Sequence, residues 1–372
     1  MQTLTVRRLR WTAPFVAAVA VATAAVLPTV ASGSDHPILP ARSAAQLLAD
    51  VATAETPSLS GTIVETVRLG LPELPSTGGS AADLSLVNLI TGSHTARIWL
   101  DGVDHQRVAL VGDLSESDVI HDGQDVWIYA SSANQATHVM VPASLPASAK
   151  KAITAGNIPT PAQLADQLLA AVTPTTEVSV DATARVAGRP AYQLVLAPKS
   201  EHALITRVSI AVDSQTKVPL RVQVYGRDAS APAFETGFTD ISFSRPPLSV
   251  FRFVPPTGTK VTQSGPQQLL SGTSGLDGTA DTAATAGTGS RTIGTGWTAV
   301  VETNASALTG AGGRGSQNQL LSVLLRSATR VKQGRLITTA LVSALITDDG
   351  HLYVGAVDGA TLRKVAATGK PA

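Results

Sequence analysis

The stretch Val218–Val261 limits the possible folds of this chain more than any other. Leu220, Val222 and Val224 alternate with Arg221, Gln223 and Tyr225, the period of a strand with one buried face. Thr239, Ile241 and Phe243 repeat the pattern after a short polar turn. The proline pairs Pro246-Pro247 and Pro255-Pro256 then bracket a strand-like Ser249–Val254. Proline cannot donate to a ladder, so a strand punctuated in this way belongs at a sheet edge.

The same period runs back through the chain. Leu59–Leu69 places Leu59, Gly61, Ile63, Val67 and Leu69 on one side, with Glu65 as the single polar intruder among them. A meander follows over Thr95–Leu100, Gln106–Val111, Asp118–His121, Asp125–Tyr129 and Thr137–Val141, with turns at Asp101-Gly102 and Asp122-Gly123. Strands are also predicted at Glu177–Val186, Ala191–Ala197 and Leu204–Val212. Two amphipathic helices interrupt the pattern. Ala44–Ala54 has Ser43 as N-cap, and Pro161–Val172 has Thr160 as N-cap with proline in its first turn. Leu84–Ile90, after a Pro/Gly/Ser loop, is either a helix or a flap. With no βαβ rhythm, the expected fold is α+β: an antiparallel sheet large enough to curl, with helices on one side.

From Thr262 to Gly296 the chain turns to Gly, Ser, Thr and Ala with almost no large apolar residue, the composition of a flexible linker. Beyond it lie an expected strand Trp297–Glu302, a helix Gln319–Ala328, a strand pair Leu336–Thr347 and His351–Val357, and a closing helix Thr361–Ala367. The domains expected are therefore 42–261, a linker 262–296, and a small C-terminal α/β unit 297–369.

The first 31 residues read as a signal peptide or a membrane anchor. Arg7, Arg8 and Arg10 precede an apolar run Trp11–Ala31, with small residues at Thr29 and Ala31 before Ser32. Either outcome places the remainder outside the cytoplasm, secreted or in the cell envelope. Loss of three arginines and no acids takes the formal charge from +1 to −2.

Composition narrows the chemistry. Apolar residues make up 44% and aromatics 4%, so the core is aliphatic. A net charge of +1 argues against a nucleic-acid partner. The absence of cysteine removes disulfides, thiolate ligands and a lipid-bearing cysteine. His105 with Asp101 and Asp104, and His121 with Asp122, sit at turns without a second histidine at ligand spacing, so no metal is expected. Gly310, Gly312 and Gly315 spell G-x-G-x-x-G but lack the strand and acid of a dinucleotide site, and no cofactor is expected. No nucleophile elbow or triad can be assembled, and the chain reads as a non-enzyme.

Three runs carry a family resemblance: Asp122-Gly-Gln-Asp-Val-Trp-Ile-Tyr129, Ala187-Gly-Arg-Pro-Ala-Tyr-Gln-Leu194, and the closing segment from Val218. In that order they resemble the LolA family of extracytoplasmic lipoprotein carriers, and Leu89–Trp99 resembles its Gram-positive relatives. The resemblance implies a curled antiparallel β half-barrel with helices on its concave side, enclosing an apolar cavity that holds acyl chains of lipids or lipoproteins. Alternation offers Val108, Leu110, Tyr192, Leu194, Val208, Ile210, Leu220 and Val222 as lining residues, a packed core being the other reading of the same pattern. By position in the meander, Arg107 is the counterpart of the family's lid-holding arginine, with Arg97 and Arg68 nearby and the family's flanking aromatics missing. His351–Ala367 is similar to the closing strand and helix of the RseB/MucB sigma-factor regulators, which implies a sensor role with a membrane-bound anti-sigma partner.

Overall fold

The computed structural model describes residues 37–54, 57–70, 92–112, 115–144, 160–170, 175–227, 229–265, 290–305, 325 and 327–371. The N-terminal apolar run, Leu84–Ile90, the G-x-G-x-x-G loop and most of Gln319–Ala328 lie outside these residues. In chain order the elements are α1 (Ala44–Thr53), β1 (Leu59–Val67), β2 (Gly92–Leu100), β3 (His105–Val111), β4 (Glu116–Asp122), β5 (Asp125–Ala130) and β6 (Gln135–Met140). Then come α2 (Pro161–Ala170), β7 (Thr176–Val186), β8 (Arg189–Pro198), β9 (Ile205–Asp213), β10 (Pro219–Gly226), β11 (Phe234–Ser242) and β12 (Lys260–Ser264). The remainder is β13 (Arg291–Ile293), β14 (Val300–Asn304), β15 (Thr329–Val331), β16 (Gly334–Thr338), β17 (Ser343–Thr347), β18 (His351–Gly355) and α3 (Gly359–Thr368).

The first 12 strands form one sheet in the order β12-β6-β5-β4-β3-β2-β1-β11-β10-β9-β8-β7. Its pairs are antiparallel except for the parallel β12–β6 pair at one edge. The sheet curls without closing. β7 at the far edge touches β11, four strands inward, although the two end strands are not paired. Leu59, Ile63 and Ile98 of β1 and β2 share a cluster with Val186, Ala191, Ala211 and Leu220 of the other half. Bulges at Thr62/Ile63 and Pro219/Arg221 supply local bending on the way round.

The helices form where their caps allow. Ser43 Oγ accepts from Gln46 N, and Gln46 Oε1 accepts from Ser43 N, a complete capping box. Thr160 and Gln163 repeat it at α2. Both helices pack on one face of the sheet, burying Leu47, Val51 and Ala165 against Leu194, Leu196, Val208, Ile210 and Val222.

Four readings of the sequence need correction. Ser249–Val254 is not a strand: Leu248–Phe251 is a 3-10 turn, because the flanking prolines remove ladder donors. It plugs Phe251, fully buried, against β3 and β4. Leu336–Thr347 is two strands, β16 and β17, since Thr339 Oγ1 caps a tight turn through Leu341 N and Val342 N. Residues assigned to the linker's ends are instead strands β12 and β13, paired through their backbones with β6 and β14. Trp297 belongs to a 3-10 turn ahead of β14, not to a strand.

The second sheet, β13-β14-β18-β17-β16-β15, is wholly antiparallel and packs Val300, Leu345, Tyr353 and Val357 against Leu362 and Val365 of α3. It docks on the first. Ala203 bridges Val357, Leu204 N donates to Ala356 O, Ala340 N donates to Leu69 O, and Trp297 Nε1 donates to Thr176 Oγ1 at 2.8 Å. Leu341 joins the same cluster as α1 and α2. Gly226 permits the close approach: a Cβ there sits 2.5 Å from Ala340 O. Gly226→Val is therefore expected to lower stability by about 1–3 kcal/mol and to release the C-terminal unit to limited proteolysis first. Unchanged melting and cleavage would show that the contact contributes nothing.

Candidate functional site

Paired residues share a face, so the register defines the helix-covered surface strand by strand. From β8 to β2 it carries Tyr192, Leu194 and Leu196, then Val208, Ile210 and Val212, Val222 and Val224, Phe234 and Thr236, Ile63, Glu65 and Val67, and His94, Ala96 and Ile98. Leu194, Leu196, Val208, Ile210, Val212 and Val222 have no exposed surface. Tyr192 is 5% exposed, with its hydroxyl donated to Pro40 O at 3.0 Å.

Of the lining residues expected from sequence, Tyr192, Leu194, Val208, Ile210 and Val222 come together here beneath α1 and α2. Leu110 is buried on the same face but apart, against Ala96. Leu220, displaced by the β9–β10 bulge, and Val108 join the cluster around Ile63 and Ile98. Arg107 is on the opposite face. Its Nε donates to Asp118 Oδ1 at 2.8 Å, and it lies 5.4 Å from the Trp99 ring, its cross-strand partner. β2 thus gives Arg107 an aromatic neighbour from across the ladder. Arg107 also donates to Val250 O, tying the 3-10 turn to the sheet. Burial pushes the Asp118 carboxyl up to about 6 against the opposing pull of Arg107.

Two hollows open on the surface, and none of the nine residues expected from sequence lines either. One, about 440 Å³, lies among Lys199, Ser200, Glu201, Thr206 and Arg227 near the docked second sheet. The other, about 280 Å³, lies behind β1 among Val64, Thr66, Arg185, Arg221 and Glu235. Among the described residues no cluster of three or more His, Cys, Asp or Glu is placed to hold a metal. His105 pairs with Asp122 at 3.3 Å instead.

The polar intruder noted in the sequence is the unusual member of the helix-covered face. Glu65 is 3% exposed and pairs across the strands with Thr236, which has no exposed surface, and with His94 on its other side. Glu65 Oε2 and Thr236 Oγ1 have no hydrogen-bond partner. Burial alone drives the Glu65 carboxyl up to about 7, from an ordinary 4.5. By register it is the only carboxylate on this face among the described strands. Its chemistry is that of a buried acid able to carry or lose a proton near neutrality.

Residues 84–263 match the family described as "Predicted periplasmic protein (DUF2092)". The matched region runs from ahead of β2 into β12, so α1, β1 and the second sheet fall outside it. Its description agrees with an extracytoplasmic location. No helix among the described residues is long and apolar enough to cross a membrane. No curated protein was found to match. Similar solved structures include the MucA/MucB complex of Pseudomonas aeruginosa, at 16% identity over 87% of this chain and 96% of that one, TM-score 0.37. An uncharacterized conserved protein from Thermus thermophilus shows 12% identity over 59% of this chain and 99% of its own, TM-score 0.32. A LolA superfamily protein from Nitrosomonas europaea shows 12% identity over 57% and 99%, TM-score 0.22. At such TM-scores these likenesses carry no weight for function, and the fold rests on the strand order above.

A raised carboxyl makes folding prefer the protonated form. The Glu65 contribution is therefore least unfavourable below about pH 4.5, worsens as pH rises to about 7, and is constant above that. His94 faces it from β2, while the α2 side packed on the sheet is apolar. Glu65→Gln is expected to be more stable than the parent at pH 8 by up to about 3 kcal/mol, the gain vanishing near pH 4. Urea unfolding across this range checks it; parallel curves for the two proteins would refute it.

Proposed function

We propose that this chain is an extracytoplasmic lipid- or lipoprotein-binding protein that holds acyl chains between the helix-covered face and α1 and α2. The observation that carries this reading is the cover itself. A continuous aliphatic surface through Leu194, Val208, Ile210 and Val222 is closed by two separate 10-residue helices. Helices this short are not stable alone in water, so α1 and α2 hold their places through packing on that surface. An acyl chain offers the surface the same contact. Each buried methylene contributes about 0.8 kcal/mol, so a chain of ~14 methylenes supplies roughly 11 kcal/mol before ordering costs. Tyr192 ends the surface with a hydroxyl bound to the segment ahead of α1, where movement of that helix is felt. In this reading Val108, Leu110 and Leu220 extend the lining toward β3, and Arg107 fixes the far wall.

The docked second sheet supports a second reading, a regulatory sensor with a membrane-bound protein as partner. Leu341 and Ala340 belong to the cluster that α1 and α2 share, so displacement of the helices by a chain reaches the C-terminal unit directly. Co-purification of a membrane anti-sigma protein favours the sensor, and transfer of a lipidated protein between membranes favours the carrier.

Organic extraction of the purified protein followed by lipid mass spectrometry is expected to yield acylated species at close to one per chain. A protein that comes out clean, and that also refuses a neutral fluorescent acyl probe, would show that the face is a permanently packed core.

A further inference from the structure

We propose that Glu65 and Thr236 form the polar end of the ligand site and take the primary ammonium group of a long-chain amine. This rests on the helix-covered face being the acyl site. The two residues are direct cross-strand partners, so their Cβ atoms lie within about 4.5–5.5 Å of one another. Each leaves an oxygen without a partner while at least nine-tenths buried. Around them the surface is Ile63, Val67, Ala96, Val222 and Val224, which offer no polar contact, and His94, the β2 neighbour of Glu65, is the other polar side chain beside the pair.

Such a pair is costly in a core and is not needed by the strand, since leucine or valine at 65 fits the alternation better. What the two oxygens lack is donors. A primary ammonium has three, enough to reach both at once, and its charge suits a carboxylate in an apolar setting. An ionised carboxylate or phosphate head brings no donor, and meets like charge wherever Glu65 is ionised, while an alcohol brings one donor for two acceptors. α2 lies over β10 and β11, so the displacement that admits a chain also uncovers this pair.

Dodecylamine, dodecanol and dodecanoic acid, each below its micellar concentration, separate head from tail. Calorimetric titration of the full chain at pH 6, in two buffers of different ionisation enthalpy, is expected to show the amine binding at least about tenfold tighter than the alcohol, with the acid weakest. Because the Glu65 carboxyl is largely protonated at that pH, each amine bound is expected to release close to one proton. Glu65→Gln removes both the preference and the proton release while leaving dodecanol within about twofold. Thr236→Val weakens the amine several-fold but keeps the proton release, and it decides the matter if Glu65→Gln does not fold. Equal binding of amine and alcohol, or an amine preference that survives Glu65→Gln, overturns the proposal and leaves the acyl site standing. If none of the three chains binds, the acyl site itself fails and this proposal falls with it.

Discussion

The rest of the structure depends on one non-local pairing, that of β1 with β11. Nearly the whole first sheet lies between these strands in sequence, yet Ile63 meets Phe238 and Val67 meets Phe234 across the ladder. On one side of this seam β2–β6 run as a local meander, and on the other β7–β10 do the same. Neither meander alone buries both faces. Joined through β1, they make a sheet long enough that its right-handed twist curls it back on itself. The cluster uniting Leu59 and Ile98 with Ala191 and Leu220 is the product of that curl.

Closing so long a loop costs entropy before any contact rewards it, which favours strong pairing at the seam. β1 supplies that pairing along its whole length with β2 and from Ser60 to Val67 with β11. A one-residue slip would turn every side chain to the wrong face, so the aliphatic alternation also fixes the register. Glu65 is the exception built into this strand. It occupies the middle of the seam on the apolar side, where the chain tolerates an acid that raises its own pKa rather than a leucine. Asp213 shows the ordinary solution. It is fully buried, but hydrogen bonds from Arg189, Thr216 and Gln215 overcome desolvation and hold its carboxyl below the usual range.

The docked C-terminal sheet gives the helix-covered cluster a second neighbour. Leu341 reaches into the cluster from a turn between β16 and β17, and Gly226 is bare where Ala340 comes close. The cover of the aliphatic face is therefore made of three short pieces from distant parts of the chain. Each is held by side-chain packing and a few backbone bonds, not by a continuous ladder.

Local physics made much of this readable in advance. Period-2 alternation located β1, β3, β5 and β8–β10 to within a few residues, because side chains on a half-buried strand must alternate. Ser43 and Thr160 announced α1 and α2, because a free helix end needs an acceptor. The aliphatic set Tyr192, Leu194, Val208, Ile210 and Val222 was legible as one face for the same reason. That helices cover one side of the sheet was expected too, but not that Leu341 of the second sheet joins them, since those parts meet only after the chain curls. Strand β12 has no hydrophobic signature, and only the free edge of β6 makes it a strand. Arg107 could be seen as a strand arginine, but its partners Asp118 and Trp99 come from neighbouring strands. Glu65 stood out in the sequence as a misplaced acid. Its burial beside Thr236, which leaves two acceptors without donors, was decided only by the register that tertiary pairing imposed.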